Sequence, residues 1–165
     1  MGGHDRAAAV RYAHIWAYGR NPRYYDYESI GGDCTNFASQ CIYAGAGVMN
    51  YTPTFGWYYI NANDKAPAWT GVEYLYNFLT RRTPSTGPFA GEVSPERIRP
   101  GDIVQLSFDG TGWQHSPVVV AADRPRSYAD ILVAAHSFNA DDRPLSTYEF
   151  VRARFLHIGG VYRQG

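Results

Sequence analysis

The stretch GGDCTNFASQC, Gly31 to Cys41, decides how this chain is read. It holds both cysteines, with two glycines and an aspartate just ahead of the first. From Asp33 to Ala44 the pattern reads as a helix, because Cys34, Phe37, Ala38 and Cys41 fall on one stripe. Asp33 is a good N-cap residue, since its carboxylate can accept from the first free N–H groups, and Gly45 supplies the stop. Two turns of helix separate the cysteines by about 10 Å, while a disulfide needs Cα atoms within about 7 Å. Both are therefore expected as free thiols. They are not equivalent. Cys34 would open the helix, where unpaired N–H groups and the positive end of the dipole favour a thiolate. The same N–H groups can hold an oxyanion on a carbonyl under attack. Cys41 has neither advantage and reads as a packing residue.

The rest of the chain places this helix among others and ahead of strands. Asp5 to Tyr18 reads as a helix capped by Asp5, with Val10, Ala13 and Ala17 at helical spacing and Gly19 and Asn21-Pro22 closing it. A tyrosine-rich loop runs to Gly32. Tyr51 to Ala68 is a long aromatic connection, a length that is uncommon unless functional. Thr70 to Thr80 reads as a third helix, with Thr70 and Glu73 as a capping box and Val72, Leu75, Tyr76 and Leu79 as its apolar face. Arg81 to Arg99 is expected to be mostly loop. Strands follow at Asp102–Phe108, Pro117–Ala122, Ile131–His136 and Phe155–Tyr162. Helices grouped ahead of an antiparallel sheet make an α+β fold, and 165 residues suit a single domain spanning 1–165.

A cysteine nucleophile needs a base, and the chain has five histidines. His115 precedes the strand PVVVAA and His136 ends the strand ILVAAH. If Asp123 to Asp130 is the turn between them, His115 falls opposite His136 within about two residues. Directly opposed residues share a face roughly 5 Å apart. That spacing predicts a nucleophile, a base and an orienting group at one end of the sheet. Asn139 competes with His136 for the orienting role. Asp33 reads first as a helix cap. No close-spaced pair such as CxxC or HxxxH is present, so a zinc site at Cys34, His115 and His136 is not expected. No cofactor is expected either.

Fifteen basic and fifteen acidic residues cancel, which gives no sign of a nucleic-acid surface. No apolar run approaches the roughly 20 residues of a membrane span, so membrane insertion is not expected. The first residues, MGGHDRAAAV, lack the pattern of a signal peptide. Residues 1–4, MGGH, read as an expression remnant or the edge of a domain cut from a longer precursor. Fourteen Tyr, eight Phe and four Trp are the most unusual feature of the composition. Core and loop packing is their first explanation. A stacking groove for sugar or peptide is the functional one, with Tyr25, Tyr27, Trp57, Trp69 and Trp113 as its candidates.

GGDCTNFASQCIYAGAG resembles the signature of the putative amidase domain family of bacterial cell-surface proteins. HDRAAAVRYAHIWAYGRNPRY, GWYY, AWTGVEYLYNFL, RPGDIVQLSFDG, HSPVVV and AHSFNADDRPLS extend the likeness over most of the chain. One departure is Ser137, where the family pattern has Thr. The resemblance implies a papain-like, NlpC/P60- and CHAP-like fold, with Cys34 as nucleophile, His115 as base and His136 as the third, orienting residue. It implies a cysteine amidase or peptidase cleaving amide bonds, chiefly of peptidoglycan, through a thioester. The setting it implies is extracellular or cell-wall associated in a bacterium, and a monomer is expected. Two other readings stay open: a non-catalytic wall-binding module on the same scaffold, and an acyl or amide transferase using the same cysteine.

Overall fold

A computed structural model describes residues 2–163. Met1, Gln164 and Gly165 lie outside the described residues, so the expected 1–165 span and the MGGH remnant are seen only in part. The helices α1 (Arg6–Trp16) and α2 (Cys34–Ala46) come first. A small hairpin follows, β1 (Tyr59–Asn61) with β2 (Asp64–Lys65). Then come α3 (Pro67–Thr70) and α4 (Val72–Leu79). The remaining strands are β3 (Gly87–Val93), β4 (Ile103–Ser107), β5 (Val118–Ala121), β6 (Leu132–Ala135), β7 (Ala140–Pro144) and β8 (Arg152–Tyr162). These six form one antiparallel sheet in the order β3-β8-β4-β5-β6-β7. The fold is therefore α+β, as the order of helix and strand signals predicts.

Alternation along the strands builds two cores. Ile103, Val118, Ala134, Leu156 and Ile158 face the helices and meet Phe37, Cys41, Trp57, Trp69 and Leu75. Val104, Leu106, Val119, Val133 and Phe155 face the other way, onto Ile98, Ile131 and Leu145. A strand with apolar side chains on both faces belongs to the middle of a layered domain. β4 and β5 have that pattern and occupy the middle of the sheet.

Local chemistry explains the helix ends. Asp5 Oδ1 accepts from the Ala8 N–H at 3.0 Å, the expected cap of α1. α2 runs past Gly45 and stops at Gly47, whose φ of 75° is left-handed and whose N–H donates to the Tyr43 carbonyl. The helix expected at Thr70–Thr80 forms as α4, but its start differs. Pro67 starts a short turn of helix early, and Gly71, extended at φ −110° and ψ 131°, separates α3 from α4. Gly71 then holds the cap position of α4 with no side-chain cap, so the Thr70–Glu73 capping box does not form. β3 lies in the segment expected to be loop, and β7 was also unforeseen. Glycine and proline mask β3 as a strand, yet Pro88 is tolerable on an edge strand, where a missing donor costs little.

Candidate active site

Cys34 is the first residue of α2 and is 8 % exposed. Its N–H, at the helix start, has no hydrogen-bond partner among the described residues. Gly31 and Gly32 precede it with φ of 102° and 98°, a left-handed pair that side chains with a Cβ adopt poorly. They bring the chain round so that the Gly32 N–H donates to the Tyr27 carbonyl and Asp33 enters the core. The Sγ atom lies 3.6 Å from Thr35 Oγ1 and 3.8 Å from the Gln114 carbonyl oxygen, and the nearby Ser116 N–H favours its ionised form. The thiol therefore rests against the residues on either side of His115.

His115 itself bridges Leu106 on β4 and is buried. Its ring lies between Phe108 and Tyr148, at centroid distances of 6.2 and 5.6 Å. Its ring nitrogens make no hydrogen bond among the described residues. Neighbouring Ser116 turns its hydroxyl to Thr35 on α2 at 3.2 Å. His115 instead borders a groove at the end of the sheet, shared with Phe108, Gln114, Ser137, Phe138, Arg143 and Tyr148. Burial, helped by the Arg143 guanidinium, pushes the His115 imidazole down to about 4. Burial also raises the Cys34 thiol, against the lowering effect of the Thr35 hydroxyl and of the Ser116 and Thr35 N–H groups. At neutral pH the resting pair is thus a thiol and a neutral imidazole, not the ion pair that a helix-start cysteine alone suggests.

His136 occupies a different position from the one its register implies. β5 pairs with β6 through Val118 with Ala134 and Val119 with Val133, one residue from the expected alignment, and a bulge follows. The ladder ends before His115, and His136 opens the turn after β6. Extending that register sets Ser137, not His136, opposite His115. His136 points back to the helices, stacked on Phe37 at 4.0 Å. Its Nδ1 lies 2.6 Å from Asp33 Oδ2 and its Nε2 lies 2.8 Å from the Trp16 carbonyl. Both nitrogens are engaged with Asp33 and Trp16, so neither is left for His115. Asn139 does not take the orienting role either, for its Oδ1 accepts from Arg20 Nη2 at the surface.

Asp33 is the hub of this clamp rather than a side-chain cap. It stands at the N-cap position of α2, but its carboxylate makes no cap hydrogen bond. It accepts instead from the Tyr27 N–H, the Asn36 amide and His136, all within 2.9 Å. The buried imidazole competes for the carboxylate and draws it away from the helix N–H groups. The clamp joins the end of α1, the start of α2 and the end of β6, and so sets where Cys34 lies.

The aromatic candidates divide. Trp57 and Trp69 are fully buried, their indole N–H groups donating to Ser39 Oγ and Asn36 Oδ1, so both are core and neither walls a groove. Tyr27 is buried as well, its hydroxyl donating to the Ala62 carbonyl. Tyr25 is exposed against the edge of Tyr27. Trp113 is half-buried over the Arg152 and Arg154 guanidinium groups. The groove aromatics are instead Phe108, Phe138 and Tyr148, which sequence reasoning missed. It also missed Thr35, Gln105, Ser116 and Arg154. One signal was readable: Gln105 and Ser107 share the face of Ile103 in an otherwise apolar strand, and polar side chains on a core face need partners. The one His/Asp group with metal-ligand spacing among the described residues is His14, Asp141 and Asp142, which includes none of the three expected site residues.

Cys34 is thus a buried thiol at a helix start, beside the two residues that flank His115. Residues 3–158 match the family described as putative amidase domain, and the chain belongs to it. A relative in Bacillus subtilis (strain 168), the uncharacterized protein YhbB, is 33 % identical over 94 % of this chain. The chain spans about half the length of that relative, 50 %. No solved structure matches it. Amide hydrolysis is the activity that the family's description suggests.

Proposed function

We propose that this chain is a cysteine-dependent amidase of papain-like, NlpC/P60-related architecture, acting on the peptide bonds of peptidoglycan outside a bacterial cell. Residues 1–165 would form its single hydrolase domain and act as a monomer. One observation carries the reading. Cys34 opens α2 with a free N–H and lies against both neighbours of His115. Of the two candidate histidines, His115 alone has ring nitrogens free of partners and borders a groove.

Substrate fills the groove and the unbonded His115 ring turns at the sheet end to meet Sγ, a contact that commonly tightens only with substrate bound. His115 takes the thiol proton as sulfur attacks the amide carbonyl carbon. The Cys34 N–H donates to the oxyanion. His115 then protonates the leaving amine, and the C–N bond breaks to leave a thioester. Water, deprotonated by His115, releases the acid and restores the thiol. Starting from a neutral pair, proton transfer accompanies attack. His136 and Asp33 act by holding the start of α2, not by touching the base.

Digestion of purified cell walls and a panel of muropeptides, followed by mass spectrometry, tests this. Wild type should release new fragments and Cys34→Ala none. Binding without fragments from either protein would assign a wall-binding module. Products that incorporate an added amine would assign a transferase.

A further inference from the structure

A line of buried polar groups runs from Cys34 along the helix-facing side of the sheet to Arg154 on β8, and the proposed hydrolysis uses only its end. Arg154 is 8 % exposed on β8, its guanidinium held between the rings of Tyr76 at 3.6 Å and Trp113 at 4.1 Å. Its Nε and Nη2 lie 2.9 and 2.6 Å from Gln105 Oε1, and Nη2 also meets Glu73 at 3.1 Å. Gln105 Nε2 lies 2.9 Å from the Val72 carbonyl and 3.2 Å from Ser116 Oγ. Ser116 Oγ is 3.2 Å from Thr35 Oγ1, which is 3.6 Å from Cys34 Sγ.

The direction of every hydrogen in this line follows from its two fixed ends. Arginine only donates, so the oxygen of the Gln105 amide must face it. The Val72 carbonyl only accepts, so the amide nitrogen must face that way, and Ser116 receives an N–H. The Ser116 hydroxyl is fully buried, and its one remaining partner among the described residues is Thr35. Its hydrogen goes there, because a buried unsatisfied donor is costly. Thr35 Oγ1 is then an acceptor from Ser116, and its own hydrogen is left for Sγ.

We propose that Arg154, Gln105, Ser116 and Thr35 form a directed hydrogen-bond relay that presents a hydroxyl donor to Cys34 Sγ, making Thr35 a positioning residue for the nucleophile and Arg154 the group that sets its polarity. The inference deepens the proposed hydrolase reading, since the relay would stabilise the sulfur anion that leaves on thioester hydrolysis. Around Sγ the other donors are the Ser116 and Thr35 N–H groups. The charged or titratable groups near the same helix start are Asp33, whose charge opposes thiolate formation, with Arg20, Glu28 and His136 bonded or close to it. His115 lies between the contacting residues Gln114 and Ser116, ahead of β5, with Arg143 beyond it.

The test is the equilibrium titration of the Cys34 thiolate by its ultraviolet absorbance, with Cys34→Ala as the blank, in the full chain. It needs no substrate, so loss of the hydrolase reading would not decide it. Thr35→Val keeps the shape and removes the donor. It should raise the midpoint by about one pH unit, a tenfold smaller thiolate fraction below it. Thr35→Ser should restore the wild-type midpoint. Ser116→Ala and Arg154→Met should shift it in the same direction as Thr35→Val, the latter judged only if circular dichroism shows a native fold. A Thr35→Val protein that folds and titrates like wild type, or a Thr35→Ser protein that fails to restore the midpoint, would overturn the relay.

Discussion

Acidification should destabilise the fold through His115, by an amount the structure lets us work out. Burial and Arg143 lower the folded-state value to about 4, from an unfolded value near 6.5. Between those values the unfolded chain binds the proton and the folded chain does not, so stability falls as pH falls. The contribution is fully present above about pH 6.5, and it is lost progressively toward pH 4 and just below. From about 6.5 down to about 4, at about 1.4 kcal/mol per pH unit, the whole contribution is about 3.5 kcal/mol, of which about 3 kcal/mol is lost between pH 7 and pH 4. That is a large part of the roughly 5–15 kcal/mol that holds an ordinary domain together. His4 is lowered to about 4 as well, by burial first and Arg6 second, so wild type alone cannot isolate His115. The assay is therefore urea denaturation from pH 7 to pH 4 of wild type and His115→Asn. The variant should lose about 3 kcal/mol less over that interval, whatever its stability at pH 7. Parallel curves for the two proteins would refute the claim that His115 is held neutral in the fold.

Three further outcomes follow from the same geometry. Iodoacetamide should label Cys34 before Cys41, which is fully buried with its thiol pushed well above the usual value, and the Cys34 rate should keep climbing past pH 9; a plateau from pH 5 upward would mean a resting ion pair instead. His136→Ala should remove one of the three hydrogen-bond donors on the buried Asp33 carboxylate, at a cost of about 2–3 kcal/mol measured by denaturation, and a loss under 1 kcal/mol would show that the clamp does not hold the start of α2. Trp57→Ala should cost about 3–5 kcal/mol as a core deletion, whereas a stable variant with weakened wall binding would return Trp57 to the groove.

The placement of Cys34 was legible in GGDCTNFASQC, and the reason is local. Helix periodicity and a cap-type residue place Cys34 at a helix start without reference to the rest of the fold. The order of elements gave the α+β class for the same reason. What failed depended on long-range pairing. Asp33 looks like a cap in sequence, but a histidine 103 residues away captures its carboxylate. His136 sits one residue beyond β6, so a small error of register and a turn with left-handed Ser137 and Phe138 carry its side chain to the helices. Trp57 and Trp69 lie in a loop-like stretch, yet each finds a buried hydroxyl or amide for its N–H, and that satisfies an indole in the core. Gln105 was visible as a polar residue in an apolar strand, but its partner Arg154 is reachable only once β4 and β8 are known to pair.

The central claim is that Cys34 carries the acyl group. Mixing enzyme with a cleaved muropeptide, quenching in acid and mapping the chain by mass spectrometry tests it most directly. An acyl adduct should appear on the peptide containing Cys34 and be released by hydroxylamine, with neither adduct nor turnover in Cys34→Ala. Turnover by Cys34→Ala at the wild-type rate, with no adduct on either protein, would contradict it.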